Sequence, residues 1–107
     1  MDMYEIFVPT IRNNGKPFRT KHHKNWDKRV IKITGGLSVF TPIKGQWANG
    51  GQIFNERMIP VRVACNRKQI LKIIDITMEH YNQKAVMAYK VSEDVIIRYN
   101  NLYKEEK

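Results

Sequence analysis

The stretch "IKGQWANGGQIFNERMIPVRVAC", residues 43–65, decides the fold because it contains the clearest β-hairpin signal in the chain. Asn49-Gly50 supplies residues that tolerate the positive φ angles a type I′ turn requires at both central positions. We therefore predict hairpin arms at 43–48 and 52–57, with the return strand continuing to residue 65. Pro60 removes a ladder donor from that strand, so we expect a bulge or a change of strand partner there.

Apolar residues recurring with a period of two or of about 3.6 predict the other elements on both sides of the hairpin. They are strands at 3–9, 37–42, 84–91 and 95–99 and helices at 21–33 and 67–81. The order β-α-β-β-α-β-β begins with the ferredoxin-like plan. We predict an α+β fold, a ferredoxin-like βαββαβ sandwich with two helices on one face of an antiparallel sheet, a protruding β-hairpin and a C-terminal extra strand. We assign residues 1–103 to this single domain and residues 104–107 to a frayed charged tail.

Both predicted helices have an apolar stripe and residues suited to their ends. The stripe of the first helix consists of Trp26, Val30 and Ile33. Thr34-Gly35-Gly36 ends that helix with residues that a C-cap favours. The stripe of the second helix consists of Ile70, Ile73, Ile74, Thr77, Met78 and Tyr81. Asn66 suits its N-cap and Asn82 its C-cap, so this helix is the most clearly bounded element.

The chain resembles a bacterial family of ferredoxin-like domains of unknown function over roughly residues 35–98. The resemblance runs through "GGLSV" (35–39) into "GQW" (45–47), an acidic residue at Glu56, and a helix that ends in Tyr81 before "NQKAV" (82–86). It implies the ferredoxin-like fold and a dimer formed through the open sheet face. It implies no reaction and no individual roles for these residues.

The bulk composition indicates a globular protein with a basic segment. The 107 residues are 42% hydrophobic and carry a net charge of +9, and the single cysteine, Cys65, allows no disulfide within the chain. No apolar run approaches the roughly 20 residues that a membrane span needs. The N-terminus lacks the pattern of a signal peptide. We expect a cytoplasmic protein with no membrane partner and no cofactor.

The positive charge is concentrated in residues 12–32, where eight basic side chains face one acid, Asp27. Four of them lie within about 80° on the side of the first helix opposite its apolar stripe; we call Lys21, Lys24, Lys28 and Lys32 the lysine ridge. Arg12, Lys16 and Arg19 in the preceding loop extend it. The sequence leaves two interpretations open, a surface for phosphates and other anions or an ordinary solvated face. No aromatic motif for sequence-specific RNA recognition is present.

The neck of the hairpin is the second candidate site. Gln46 and Trp47 precede the turn and Glu56 follows it, so the three can form an aromatic platform with polar groups for a partner. The structural alternative is that Trp47 packs over the hairpin while Gln46 or Glu56 satisfies backbone amides of the turn. Tyr81 and Gln83 are candidates for a pocket completed by Trp47 and Glu56.

The histidines and the cysteine do not form a recognisable catalytic or metal site in the sequence. His22 and His23 are adjacent and point about 100° apart on a helix, and His80 has no histidine partner at the i, i+4 spacing. We expect structural or surface histidines and no metal. Cys65 precedes a helix N-terminus, which can lower a thiol pKa, but without a basic partner we expect a buried, inert thiol.

Taken together, these features predict a small basic non-enzymatic binding protein. It would engage a protein or anionic partner through the basic first helix and the Trp47 hairpin. One alternative is a nucleic-acid-binding protein without sequence preference, and another is an enzyme acting on a small substrate in the pocket described above. We also expect a homodimer, because an open sheet face would expose apolar side chains. These side chains are Phe7, Phe40, Met87 and Tyr89.

Overall fold

A computed structural model describes residues 1–102, and its strands and helices follow the predicted order through the second helix. The elements are β1 (Asp2–Pro9), α1 (Thr20–Thr34), β2 (Ser38–Val39), β3 (Ile43–Asn49), β4 (Gln52–Cys65), α2 (Arg67–Tyr81) and β5 (Ala88–Ser92). The charged tail predicted at 104–107 lies outside the described residues. Within them, α1 and α2 and a five-stranded antiparallel sheet form the predicted α+β, ferredoxin-like architecture.

Strand β4 organises the sheet because it pairs along both edges. The strand order is β2-β4-β1-β5, and β3 also pairs with β4. One edge of β4 is matched to β1 without interruption, from Asp2 opposite Cys65 to Pro9 opposite Met58. The other edge pairs first with β3 and then with β2. The 14-residue β4 therefore belongs both to the hairpin and to the centre of the sheet.

The change of partner on the second edge of β4 occurs at Pro60, as predicted. The last β3 pair is Ile43 with Met58, and the β2 pairing includes Val39 with Val61. Between them, the Phe40 amide donates to the Pro60 carbonyl at 3.0 Å. The N–H that proline lacks would point to this same edge, where the ladder is already interrupted. The missing donor therefore costs no regular strand pair.

The hairpin turn lies one residue later than predicted. Gly50 and Gly51 are its two central residues, with φ angles of 61° and 79°, whereas the sequence analysis placed the turn at Asn49-Gly50. Asn49 instead pairs with Gln52 as the last rung of the ladder. Two consecutive glycines take positive φ more readily than asparagine followed by glycine, and this selects the register.

The hairpin protrudes beyond the packed layers. Every residue of β3 except Gly45 is exposed, and so are the first six residues of β4. The molecule accordingly measures 57 × 31 × 23 Å. The core lies between the helices and the inner half of the sheet. Its buried apolar members are Tyr4, Ile6, Val8, Trp26, Val30, Val61, Val63, Cys65, Ile70, Ile73 and Tyr81.

Both helices confirm the predicted stripes and caps. Trp26 and Val30 are buried in α1, with Ile33 packed against the core, and Gly35 caps the helix with φ 83°. In α2, Asn66 and Gln69 form a reciprocal capping box, in which each side chain accepts from the other residue's backbone amide. This box satisfies two amides that would otherwise lack partners at the helix start.

The C-terminal part of the sheet differs from the prediction. Strand β5 spans Ala88–Ser92 where 84–91 was expected, because pairing with β1 begins only at Ala88, opposite Ile6. The extra strand predicted at 95–99 is wrong, since residues 94–100 adopt no regular structure. Alternation in "VIIRY" shows only that the segment could form a strand. A strand also requires a free edge that it can reach.

Candidate functional site

A cluster of three histidines and one tyrosine joins the start of α1 to the end of α2. The His22 Nε2–H donates to the His80 carbonyl at 2.7 Å, and the His80 Nε2–H donates to the His22 carbonyl at 2.8 Å. The two imidazole rings lie 4.1 Å apart between centroids. Beside them, His23 Nδ1 and the Tyr81 hydroxyl form a 2.7 Å hydrogen bond. These bonds connect residues 58 positions apart and fix the two helix ends to each other.

Burial favours neutral imidazoles at two positions of the cluster, His80 and His23. In His80, Nε2 donates, so the neutral ring presents Nδ1 as an acceptor, and the Arg29 guanidinium lies 3.2 Å from it. Burial lowers the pKa of His80; the hydrogen bond with His22 opposes this change, and the charges of His22 and Arg29 add to it. Burial also lowers the pKa of His23, an effect that Asp27 opposes. Burial raises the pKa of Tyr81, so its hydroxyl remains protonated.

Sequence reasoning treated these histidines separately and missed the cluster, although the helix stripes contain the signal. The Trp26 indole N–H donates to the Thr77 hydroxyl at 3.0 Å, so these residues face each other across the antiparallel helix pair. Four residues back from Trp26 lies His22, and four residues on from Thr77 lies Tyr81. Residues one helical turn away on each side must meet as well.

A cleft of about 430 Å³ lies next to the cluster. Its outer wall is a tight turn at residues 11–17, closed by the Arg12 amide donating to the Lys16 carbonyl at 2.7 Å. The Asn13 side chain donates to the Asn82 carbonyl at 3.0 Å and holds this turn against the end of α2. The cleft is lined by Arg12, Asn13, Asn14, Phe18, His22, His80, Tyr81 and Asn82.

The hairpin presents its aromatic residues to solvent. Trp47 and Phe54 are paired across the strands and stacked, with ring centroids 4.6 Å apart and planes inclined by 20°. The register places Glu56 on the face of Trp47 and puts Gln46 on the other face. There the Gln46 amide donates to the Asn55 side chain at 2.7 Å and not to the turn.

The structure does not bring the four proposed pocket residues together. Tyr81 lines the cleft beside the histidines, and the Gln83 side chain donates to the Tyr81 carbonyl at 3.0 Å. Glu56 lines a different cleft of about 540 Å³, between the base of the hairpin and Ile11. Trp47 lines neither cleft. The pocket hypothesised for an enzyme is therefore not assembled within this chain.

The lysine ridge is fully solvent-facing. Lys21, Lys24, Lys28 and Lys32 are all exposed, and within residues 1–102 none of them pairs with an acidic side chain. In the preceding loop, Arg19 occupies the N-cap position of α1, the Lys16 amide bonds Asn14, and the Arg12 guanidinium lies 5.6 Å from the Phe18 ring centroid. The four ridge lysines therefore share the exposed side of α1, and the three basic loop residues precede the start of that helix.

The sheet face opposite the helices contains a polar network among apolar residues. Glu5 accepts hydrogen bonds from Arg62 Nε at 2.9 Å and from the Tyr89 hydroxyl. Burial raises the pKa of Glu5, but the hydrogen bonds from Tyr89 and Arg62 outweigh burial and lower it overall. Phe40, Met87 and Tyr89 are exposed on this side, as expected for an open sheet face.

Cys65 is buried at the end of β4, as predicted. Burial raises the pKa of its thiol, and Asp2 raises it further, so the thiolate is disfavoured. Across the described part of the chain, no group of three or more His, Cys, Asp or Glu side chains could hold a metal ion. In the same residues, no helix is both long and apolar enough to span a membrane.

Comparison with solved structures identifies similar folds. The periplasmic divalent cation tolerance protein CutA from Archaeoglobus fulgidus superimposes with a TM-score of 0.67 and 12% identity, covering 91% of this chain and 87% of that one. CutA from Xylella fastidiosa superimposes with a TM-score of 0.64 and 13% identity, and the match covers 91% of this chain and 88% of that one. The chain has the fold of these CutA proteins. The PII-like protein CutA from Nostoc also matches, with a TM-score of 0.62 and 10% identity, and the match covers 88% of this chain and 82% of that one.

Sequence comparison adds no family. No protein-family model matches the chain, and no curated protein matches it by sequence. The resemblance to a family of unknown function was right about the ferredoxin-like fold, and the structures that share this fold include divalent cation tolerance proteins. At identities this low, the likeness establishes the fold alone.

Proposed function

We propose that this protein is a non-enzymatic binding protein that associates with a second copy of itself through the β3–β4 hairpin. The observation that carries this proposal is the stacked Trp47–Phe54 pair, which projects from the body of the molecule. Trp47 is 45% exposed, Phe54 is 38% exposed, and the neighbouring Ile53 is 71% exposed. An exposed apolar patch of this kind on a soluble chain is typical of an interface.

The backbone of the hairpin supports the same proposal. Strand β3 pairs with β4 on one edge, and within residues 1–102 its other edge has no strand partner. An open edge strand presents unpaired N–H and C=O groups that a second chain can bind. The hairpin of a second copy offers the same edge and the same aromatic pair, so a symmetric contact can bury both.

The sheet face opposite the helices extends the surface available for association. Met87 and Tyr89 are exposed there, beside Phe40. The structures that share the fold include a divalent cation tolerance protein and a PII-like protein, and a role in binding agrees with both descriptions.

Analytical ultracentrifugation of the purified chain over a wide concentration range tests the proposal. We expect a mass of at least two copies that falls towards one copy on dilution. A single copy at every concentration would contradict self-association. In that case, quenching of Trp47 fluorescence should be measured with and without a candidate partner protein. Reduced quenching in its presence would show that the hairpin binds a protein other than a second copy.

A second candidate function, binding of polyanions such as nucleic acid, is favoured by the lysine ridge. Four exposed lysines on one helix face with no acidic partner in the described chain concentrate positive potential, and phosphate binding to such a surface releases counterions. The absence of sequence-reading aromatics at the ridge favours contact without sequence preference. The basic loop residues Arg12, Lys16 and Arg19 would extend the footprint.

A salt titration of oligonucleotide binding tests this second candidate. Four lysine–phosphate contacts should make the affinity fall by about 10² between about 50 and 200 mM salt. Changing Lys21, Lys24, Lys28 and Lys32 to Gln should therefore weaken binding and flatten its salt dependence. The matched control removes four positive charges elsewhere. It changes Lys68, Lys72, Lys84 and Arg98 to Gln. Equal losses in both variants would show that net charge and not the ridge is responsible.

A further inference from the structure

We propose that the cleft between the 11–17 turn and the joined ends of α1 and α2 binds a small oxyanion, a carboxylate or phosphate group, with Arg12 as its anchor. This inference is independent of self-association through the hairpin, since it concerns a different surface. The cleft volume of about 430 Å³ lies within the range of about 300–1,000 Å³ typical of small-molecule sites.

The charge of the cleft selects an anion. Arg12 is the permanently charged residue of its lining, and no Asp or Glu is among the lining residues. Within residues 1–102 Arg12 forms no ion pair, and its guanidinium lies over the Phe18 ring, 5.6 Å from the centroid. Stacking on an aromatic ring orients a guanidinium while leaving its N–H groups available for a planar oxyanion.

Asn14, which also lines the cleft, offers a second donor. The Asn14 Oδ1 accepts from the Lys16 amide at 3.0 Å, which turns the Asn14 amide nitrogen away from the backbone. That nitrogen has no acceptor among the described residues. Gly15, with φ 85°, closes the turn by donating to the Arg12 carbonyl at 2.9 Å, so both residues belong to one hydrogen-bonded turn.

The end of α2 would normally repel an anion, because its last carbonyls point out of the helix. Here these carbonyls have partners within the chain. The His80 carbonyl accepts from His22, the Asn82 carbonyl from Asn13, and the Tyr81 carbonyl from the Gln83 side chain. The backbone amides of Asn82 and Gln83 bond the carbonyls of Glu79 and Met78. The negative end of α2 is therefore screened from the cleft.

The experiment is a titration of the full chain with sodium phosphate and, separately, with sodium acetate, followed by amide NMR shifts at constant ionic strength with chloride as the balancing anion. We expect saturable shifts centred on residues 12–18 and 80–82, and the two titrations distinguish a phosphate from a carboxylate ligand. Arg12→Gln should weaken binding about tenfold or more, the value of one charge-assisted hydrogen bond.

Two matched controls separate the cleft from general charge. Arg67→Gln removes an arginine that also lies 5.6 Å from an aromatic centroid, that of Tyr4, on another surface. If Arg12→Gln does not fold, Asn14→Asp adds a repelling charge while keeping the turn acceptor. Asn100→Asp is its control, because Asn100 makes the same bond to an amide two residues ahead. Absence of saturable shifts, or equal weakening by cleft and control variants, would overturn the proposal.

Discussion

Replacing Trp47 with alanine should weaken self-association strongly while leaving the fold intact. The indole is 45% exposed, which for a side chain of roughly 250 Å² leaves about 110 Å² available to a partner. At about 25 cal/mol per Å², covering that area contributes about 3 kcal/mol per copy. In a symmetric pair both indoles are covered, so the dissociation constant should rise by up to about 10⁴.

The assay is sedimentation equilibrium of the native chain and of Trp47→Ala, with Tyr99→Ala as the control. Tyr99 is a more exposed aromatic, at 83%, and lies outside the hairpin, so its loss should leave association unchanged. The cost of Trp47→Ala to the folded monomer should be small, about 1 kcal/mol for the lost stacking on Phe54. A thermal melt at a concentration where both chains are monomeric measures that cost.

The assignment of the interface to the hairpin would be refuted if Trp47→Ala associated as tightly as the native chain. It would also be refuted if Tyr99→Ala and Trp47→Ala weakened association equally. In the first case the interface lies elsewhere, and the open sheet face at Met87 and Tyr89 becomes the surface to mutate. In the second case, the association is a non-specific hydrophobic one and not a specific contact of the hairpin.

Two further predictions concern the contacts between α1 and α2. Folding lowers the pKa values of His23 and His80 from an ordinary value near 6.5. Below about pH 6.5 the unfolded chain therefore binds more protons than the folded chain. The free energy of unfolding should fall as the pH drops from about 6.5 towards 5. Urea unfolding across this range tests the prediction; replacing both histidines with Gln should flatten the slope, and stability that stays level or rises on acidification would contradict it. Thr77→Val should cost about 1–3 kcal/mol, because it leaves the buried Trp26 indole N–H without an acceptor. Chemical denaturation measures this cost against Thr41→Val, an exposed threonine, and equal effects of the two substitutions would argue against the buried bond.

Much of the fold could be predicted because its signals are local. Each of these signals determines the structure of only a few neighbouring residues. They are the glycines at positions 50 and 51 for the turn, the asparagine at the α2 N-cap, and the spacing of Trp26 and Val30 for the buried stripe of α1. Pro60 was also informative, since a missing donor in the middle of a strand implies an irregular edge. The turn was misplaced by one residue because Asn49-Gly50 and Gly50-Gly51 satisfy the same dihedral requirement.

The remaining features depend on partners distant in sequence. The segment 95–99 alternates like a strand, but nothing in its own residues says whether a sheet edge will be available. His22 and His80 acquire their significance only when two helices are packed in register, which requires the pairing of Trp26 with Thr77 to be known. Glu5 lies on β1, and its network requires Arg62 and Tyr89 to arrive from two other strands.

The uninterrupted pairing of β4 with β1 has a mechanical consequence for the hairpin. Met58 closes the β3 ladder and also opens the β1 ladder, so there is no flexible joint between the hairpin and the core. Bending the hairpin would also require a change in the twist of β1 and β4, and both helices pack against these strands. The hairpin is thus a stiff lever, and a partner held at its tip would keep a fixed distance and direction relative to the lysine ridge.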